Sequence, residues 1–369
     1  MSSIGDFFSH LFKTTAAPPT RISIKPDHYI KNGTPADGST GVIGQTALSG
    51  QHYVRLWVNR MLLADSTEWF TTLYPAVYSV VHLHFGDNDL DLANLAGPKQ
   101  LGDLKPADMN HSLSINVPMT GLLPFRGGTF QLSCGLAQMP IDNILANFMN
   151  TLGDFASKLA QPQVSLGISI ASSVASGVQS LLGAGKAKLK LYFDQTFTGV
   201  PGEQTLRSGF IFLSDQPSGE ITQDQIWVID GEPRIGSSKD AARPIKGQNY
   251  FLIQIEVLAE RDDWNQFKTI EDPLQKAISA KISGKADEAK GSLLAARLAA
   301  YDSDDLTDAD KLRVIQMINA AYDAAPDSSP DGTSVEAPIK LASLMQDAVR
   351  IDVSERLALP AREELFSLA

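Results

Sequence analysis

The sequence predicts an α+β protein: a β-sandwich-like domain with inserted helices, followed by a smaller α-helical domain. Three observations predict it. Eight runs rich in β-branched and aromatic residues lie between residues 52 and 259, most of them separated by Gly, Pro, Asp or Asn clusters. These runs do not alternate with helices one for one, which favours a sandwich or a strongly curved sheet over βαβ units. After Ala259 the composition turns to Ala, Lys, Asp and Leu with helical periodicity. The expected division is an amphipathic helix and long loop over 1–50, a β-rich domain over 51–260 with a helical insertion at about 141–183, and an α-helical domain over 261–369.

The chain opens on an amphipathic helix over residues 1–13, with Ile4, Phe7, Phe8, Leu11 and Phe12 on one face. A helix this short folds only against a surface. Docking onto this chain or a neighbouring subunit is the simpler reading; an interfacial membrane anchor is the sharper one. Residues 14–50 are rich in Pro, Gly, Thr and Ser and read as a connection with one strand at Arg21–Lys25. The expected strands are His52–Leu63, Ala76–Phe85, Ser112–Met119, Thr129–Met139, Ala187–Phe197, Leu206–Ser214, Gln225–Asp230 and Tyr250–Ala259. A helix is expected over Ile141–Leu159, on the stripe Ile144, Leu145, Phe148, Leu152, Phe155 and Leu159.

Between Lys158 and Lys186 there is no charged residue. This stretch fits two periods. Leu166, Ile170, Val174, Val178 and Leu182 recur every four residues, which suits a helix over about 168–182. Its even positions are also apolar or Ser, and most of its odd positions small or polar, which suits strands. As one strand it would exceed the usual ~3–10 residues. It is too rich in Ser, Gly and Gln to cross a membrane as one helix at low cost.

In the C-terminal part a helix is expected on each side of Gly284, the first interrupted or started by Pro273 and the second covering Ala286–Tyr301. A third starts at Thr307, where Asp310 stands at the place of Glu in a capping box. Residues 323–337 read as a linker, a last helix covers Pro338–Val349, and the tail carries isolated apolar anchors in RLALP and ELFSLA.

The net charge of −11 argues against nucleic acid as a partner and against purely electrostatic attachment to anionic lipid. Cys134 is the single cysteine, so no internal disulfide forms, and the chain suits a reducing, cytoplasmic compartment, with peripheral membrane attachment as an alternative. Cys134 sits in a β-like run and is expected to be a buried, inert thiol. No nucleophile elbow, zincin or Walker sequence occurs, so the motifs give an enzyme little support.

His82 and His84 are the candidate transition-metal ligands, because residues two apart on a strand share a face. Asp87, Asp89 and Asp91 follow, in spacing that suits calcium or a third zinc ligand. The simpler reading is a polar strand face followed by a solvated acidic loop, with no cofactor. The function expected first is a non-catalytic interaction or scaffold protein, a β-rich body with a helical region that binds a protein partner. The alternatives are a membrane-active, pore-forming effector using segment 159–185, with Phe7, Phe8 and Phe12 as anchor, and a metal-dependent enzyme using His82 and His84. Oligomers are compatible with all three.

Overall fold

The computed structural model describes residues 20–35, 43–64, 67–68, 71–85, 88–96, 113–140, 188–200, 202, 204–217 and 219–327. The N-terminal helix with Phe7, Phe8, Leu11 and Phe12, the helix at Ile141–Leu159, the uncharged stretch and the C-terminal helix and tail lie outside the described residues. The described strands are β1 Thr20–Ser23, β2 Tyr29–Lys31, β3 Thr34–Pro35, β4 Tyr53–Leu62, β5 Thr67–Glu68, β6 Thr71–Phe85, β7 Asn88–Ala96 and β8 Leu113–Pro118. They continue as β9 Leu123–Pro124, β10 Thr129–Pro140, β11 Lys188–Thr198, β12 Gly209–Ser214, β13 Ile226–Ile229, β14 Glu232–Ile235, β15 Arg243–Pro244 and β16 Tyr250–Leu258. Three helices follow: α1 Lys268–Ile282, α2 Ala286–Tyr301 and α3 Asp308–Ala324. The content is α+β, with mostly antiparallel sheets.

The described residues fall into two compact units. The first takes in those up to Ser49 and those of Val54–Leu258; the second takes in Gly50–Tyr53 and those from Ala259 on. The first unit holds three sheets. One has the order β1-β12-β16-β4-β8, with β9 on β4; the second has the order β11-β10-β6-β5, with β7 on β6; the third has the order β15-β14-β13-β2-β3.

The sequence of β12, GFIFLS, explains the layering. All six residues are buried, as a near-continuous apolar run requires when both faces are covered. On one face Ile211 and Leu213 join Phe251, Ile253 and Val58 in a core shared with Val81, Phe130, Leu132 and Phe193 of the second sheet. On the other face Phe210 and Phe212 join Tyr250 and Leu252 in a separate core with Ile226 and Val228 of the third sheet. In that third sheet His28 stacks on Trp227, ring centroids 3.9 Å apart, and its Nδ1–H donates to the carbonyl of Ile226 at 2.8 Å.

Several expectations need correction. Part of the supposed connection 14–50 forms β1, β2 and β3, and β1 starts at Thr20 rather than Arg21. β1 lies at the edge of the first sheet, pairing with β12 from Thr20↔Ser214 to Ser23↔Ile211. β6 begins at Thr71, five residues before Ala76. The acidic loop after Phe85 is a strand instead: NDLDLANLA alternates, with Leu92 and Asn94 buried. Asp and Asn favour turns, but burial of alternate residues on a half-buried sheet outweighs that preference. Of the three expected calcium-loop carboxylates, Asp89 and Asp91 stand within β7, and Asp87 lies outside the described residues. Pro273 neither starts nor interrupts its helix; α1 runs through it, and the missing N–H falls in the second turn.

In the second unit, Phe267, Ile270, Leu274, Ile278, Leu293, Val314 and Ile318 close a core of their own. Beside it lies a buried polar network. The Arg261 guanidinium donates to both carboxylate oxygens of Asp263, at 2.7 and 2.9 Å, and to the carbonyl of Asp305 at 2.9 Å. Arg313 donates from Nε to Asp310 at 2.5 Å and from a terminal nitrogen to the carbonyl of Arg261 at 2.7 Å. Asp310 also accepts from the Tyr53 hydroxyl at 2.7 Å and the backbone N–H of Arg261 at 3.2 Å. Thr307 caps α3 by accepting from the N–H of Asp310 at 3.2 Å. The reciprocal half of a capping box is absent, because the N–H of Thr307 donates to the Tyr53 hydroxyl at 3.0 Å.

Gly135 on β10 has no room for a side chain: a Cβ would stand 2.6 Å from the Tyr78 hydroxyl and 2.8 Å from the carbonyl oxygen of Leu191. Gly135→Ala is expected to destabilise the first unit by about 1–3 kcal/mol, read as a lowered urea midpoint.

In the second unit Asp310→Ala strands a buried Arg313 and is expected to cost about 3–5 kcal/mol. Tyr53→Phe should cost about 1–3 kcal/mol. Burial first, then the Asp310 carboxylate, push the Tyr53 phenol well above its usual range. Its stabilising effect is fully present below the unfolded phenol's pKa of about 10 and is lost as pH rises above it. Tyr53→Phe should therefore flatten the alkaline loss of protection of α3, measured by amide hydrogen exchange.

Candidate functional site

The second sheet is built around its longest strands. β10 pairs with β6 from Phe130↔Leu83 to Pro140↔Leu73. On its other side it pairs with β11 from Thr129↔Thr198 to Gln138↔Lys188, with one register shift between Leu136 and Ala137. The chain therefore leaves β10 at Pro140 and returns at Lys188 from strands that are laddered to those ends. The connection between them, residues 141–187, is 47 residues long and contains the whole uncharged stretch 159–185. The membrane or partner contacts expected within it, Leu166, Ile170, Val174, Val178 and Leu182, lie outside the described residues.

Alternation assigns the two faces of this sheet. Phe130, Leu132, Cys134 and Leu136 of β10, with Phe193 and Phe197 of β11, enter the core shared with the first sheet. Cys134 is fully buried, and burial pushes its thiol well above the usual value, leaving little thiolate. The opposite face is mixed. Tyr78, Val80 and Ser133 are buried there, while Gln131 donates to Asp194 at 3.2 Å and the Tyr192 hydroxyl donates to Asp194 at 2.8 Å.

His82 stands on this face, half-buried. The register of β6 and β7 sets His82 directly across from Asp91 and His84 directly across from Asp89. The hairpin thus brings four of the five candidate metal residues to neighbouring positions of one face; Asp87 lies outside the described residues. Among the residues whose side chains are described, no group of three or more His, Cys, Asp or Glu is placed to hold a metal ion, and His82 is the one member of this quartet among them.

A second feature carries residues that no motif singles out. A cavity of about 340 Å³ opens beside β1 and the end of β11. Arg21 and Arg207 line it, together with Ile43, Phe197, Phe210 and Ile255. Arg21 donates to the Gln195 side chain and lies over the Phe193 ring at 5.5 Å. The backbone of Arg207 is held by a bridge to Thr46. Alternation along β1 is the one sequence signal for part of this site, since it sets Arg21 opposite the buried Ile22.

No family model matches this chain, and no curated protein and no solved structure matches it either. Among the described residues no helix is long and apolar enough to cross a membrane.

The His–Asp register is directly testable. Replacing His82 and His84 together by alanine is expected to leave the fold intact, read by circular dichroism and melting. A stoichiometric transition metal in the wild-type protein, lost in the double variant by plasma emission, would make the quartet a metal centre instead.

Proposed function

We propose that this is a membrane-active protein that delivers its uncharged segment 159–185 to a bilayer as a β-hairpin. One observation carries the reading: that segment lies within the 47-residue connection between β10 and β11, two strands paired antiparallel as far as Gln138↔Lys188. A bilayer-crossing strand needs about 9–11 residues of alternating character, and the stretch supplies two. Its even positions would meet lipid and its odd Ser, Gly and Gln positions would meet water.

A lone hairpin leaves two unpaired edges, which hydrocarbon does not tolerate. The active species in this reading is therefore a ring of several copies closing a barrel. The two sheets sharing the core form a β-sandwich-like body that carries the hairpin, and the amphipathic face of Phe7, Phe8, Leu11 and Phe12 serves as an interfacial anchor. The protein would meet the bilayer from the cytoplasmic side.

The scaffold reading, a β-rich body with a helical partner-binding region, is the second. The observation favouring it is the self-contained core of α1–α3, which suits a rigid platform for a protein partner.

Release of a trapped dye from phosphatidylcholine vesicles, with intact protein and after limited proteolysis, tests the first reading. Ser172→Lys and Ser176→Lys are expected to abolish release while leaving the melting of the water-soluble form unchanged. A charge at the lipid face near the bilayer midplane costs about 2–4 kcal/mol, and a serine position tolerates lysine better than a valine position does. Wild-type protein that releases no dye under either condition would remove the membrane reading in favour of the scaffold.

A further inference from the structure

The cavity beside β1 and β11 has an unbalanced charge. Two guanidinium groups line it, and no carboxylate stands among its described lining residues. Arg207 is exposed and makes no hydrogen bond or ion pair from its side chain among the described residues. Arg21 has a neutral amide, Gln195, as its hydrogen-bond partner. Partial burial pulls the Arg21 guanidinium below its usual value with no anion to offset it.

Three other arginines are paired with carboxylates. Arg55 pairs with Glu256 at 2.7 Å in the first unit, and Arg261 and Arg313 pair with aspartates in the second. Arg60 and Arg297 reach neutral groups, the carbonyl of Gly231 and the side chain of Asn319, but each stands alone; Arg21 and Arg207 line one cavity with no carboxylate among its described lining residues.

The rest of the lining is apolar. Phe197, Phe210, Ile43 and Ile255 form the wall, and all four also belong to the two cores, so the wall is rigid. The volume falls at the small end of ligand sites, which run roughly 300–1,000 Å³ and combine apolar walls with a few polar groups. Arginine forks recognise phosphate and carboxylate through paired hydrogen bonds.

We propose that this cavity binds an amphiphilic organic anion, its phosphate or carboxylate head between Arg21 and Arg207 and its hydrocarbon part against Phe197, Phe210, Ile43 and Ile255. The head group comes either from a free single-chain amphiphile or from an anionic lipid in a bilayer. The inference does not depend on the membrane reading of segment 159–185, and vesicle leakage without cavity binding, or the reverse, separates the two.

The test is calorimetric titration of the full chain with octyl phosphate, with inorganic phosphate and octyl glucoside as head-only and chain-only controls. Octyl phosphate is expected to bind one to one, and both controls at least about tenfold more weakly. Arg207→Gln and Arg21→Gln should each weaken octyl phosphate about tenfold or more, the effect of losing one charge-assisted hydrogen bond. Arg207→Gln should leave melting unchanged, because its side chain holds nothing in the fold. Sedimentation with phosphatidylcholine vesicles, with and without phosphatidic acid, assigns the source. Recruitment by phosphatidic acid that octyl phosphate reverses marks a lipid head group; octyl phosphate binding without recruitment marks a free amphiphile. No binding of octyl phosphate, equal binding of octyl glucoside, or unchanged affinity in both variants would overturn the proposal.

Discussion

The first unit depends on two central strands, β12 and β16, that are covered on both faces over much of their length. β12 has no polar side chain before Ser214, and Tyr250–Ile253 of β16 are buried in succession. Such strands need a layer on each side. The long strands β6, β10 and β11 supply one. The short strands β2 and β13, nearly two hundred residues apart in sequence, come together in parallel to supply the other. Segments that look like connections by composition are thus recruited as structure, because leaving Phe210, Phe212 and Leu252 uncovered would cost several kcal/mol of lost apolar burial.

The second unit meets a different constraint, that of charge in a small helical core. Arg261 and Arg313 are buried, and each is satisfied by a carboxylate and a backbone carbonyl. Buried pairs of this kind add little net stability yet are costly to break. Their value here is geometric: Asp310 gathers Tyr53, Arg261 and Arg313 at the start of α3. In the first unit, by contrast, no carboxylate stands beside Arg21 and Arg207 among the described lining residues of the cavity.

The uncharged stretch acquires meaning from its position. A Ser-rich apolar segment in an arbitrary loop has many explanations. This one lies in the connection between two long strands in ladder register, about eighteen residues after the end of β10 and next to the start of β11. The same strands keep one face in a dry core and the other mixed, the pattern an extended hairpin would continue.

By itself, the amino-acid sequence determined the α+β class, most of the long strands to within a few residues, the three helices, the cap at Thr307 and the burial of Cys134. These follow from local alternation, helical period and capping chemistry, which act over a few residues. It did not determine β7, where acidic side chains spoke for a loop until the pairing with β6 buried Leu92 and Asn94. Nor did it determine that His82 meets Asp91 and His84 meets Asp89, because strand register is set by a hairpin and not by composition. The cavity was decided by tertiary structure alone: Arg21 and Arg207 are brought together by the pairing of β1 with β12 and by the loop that leads into β12, and no local pattern encodes a contact across that separation.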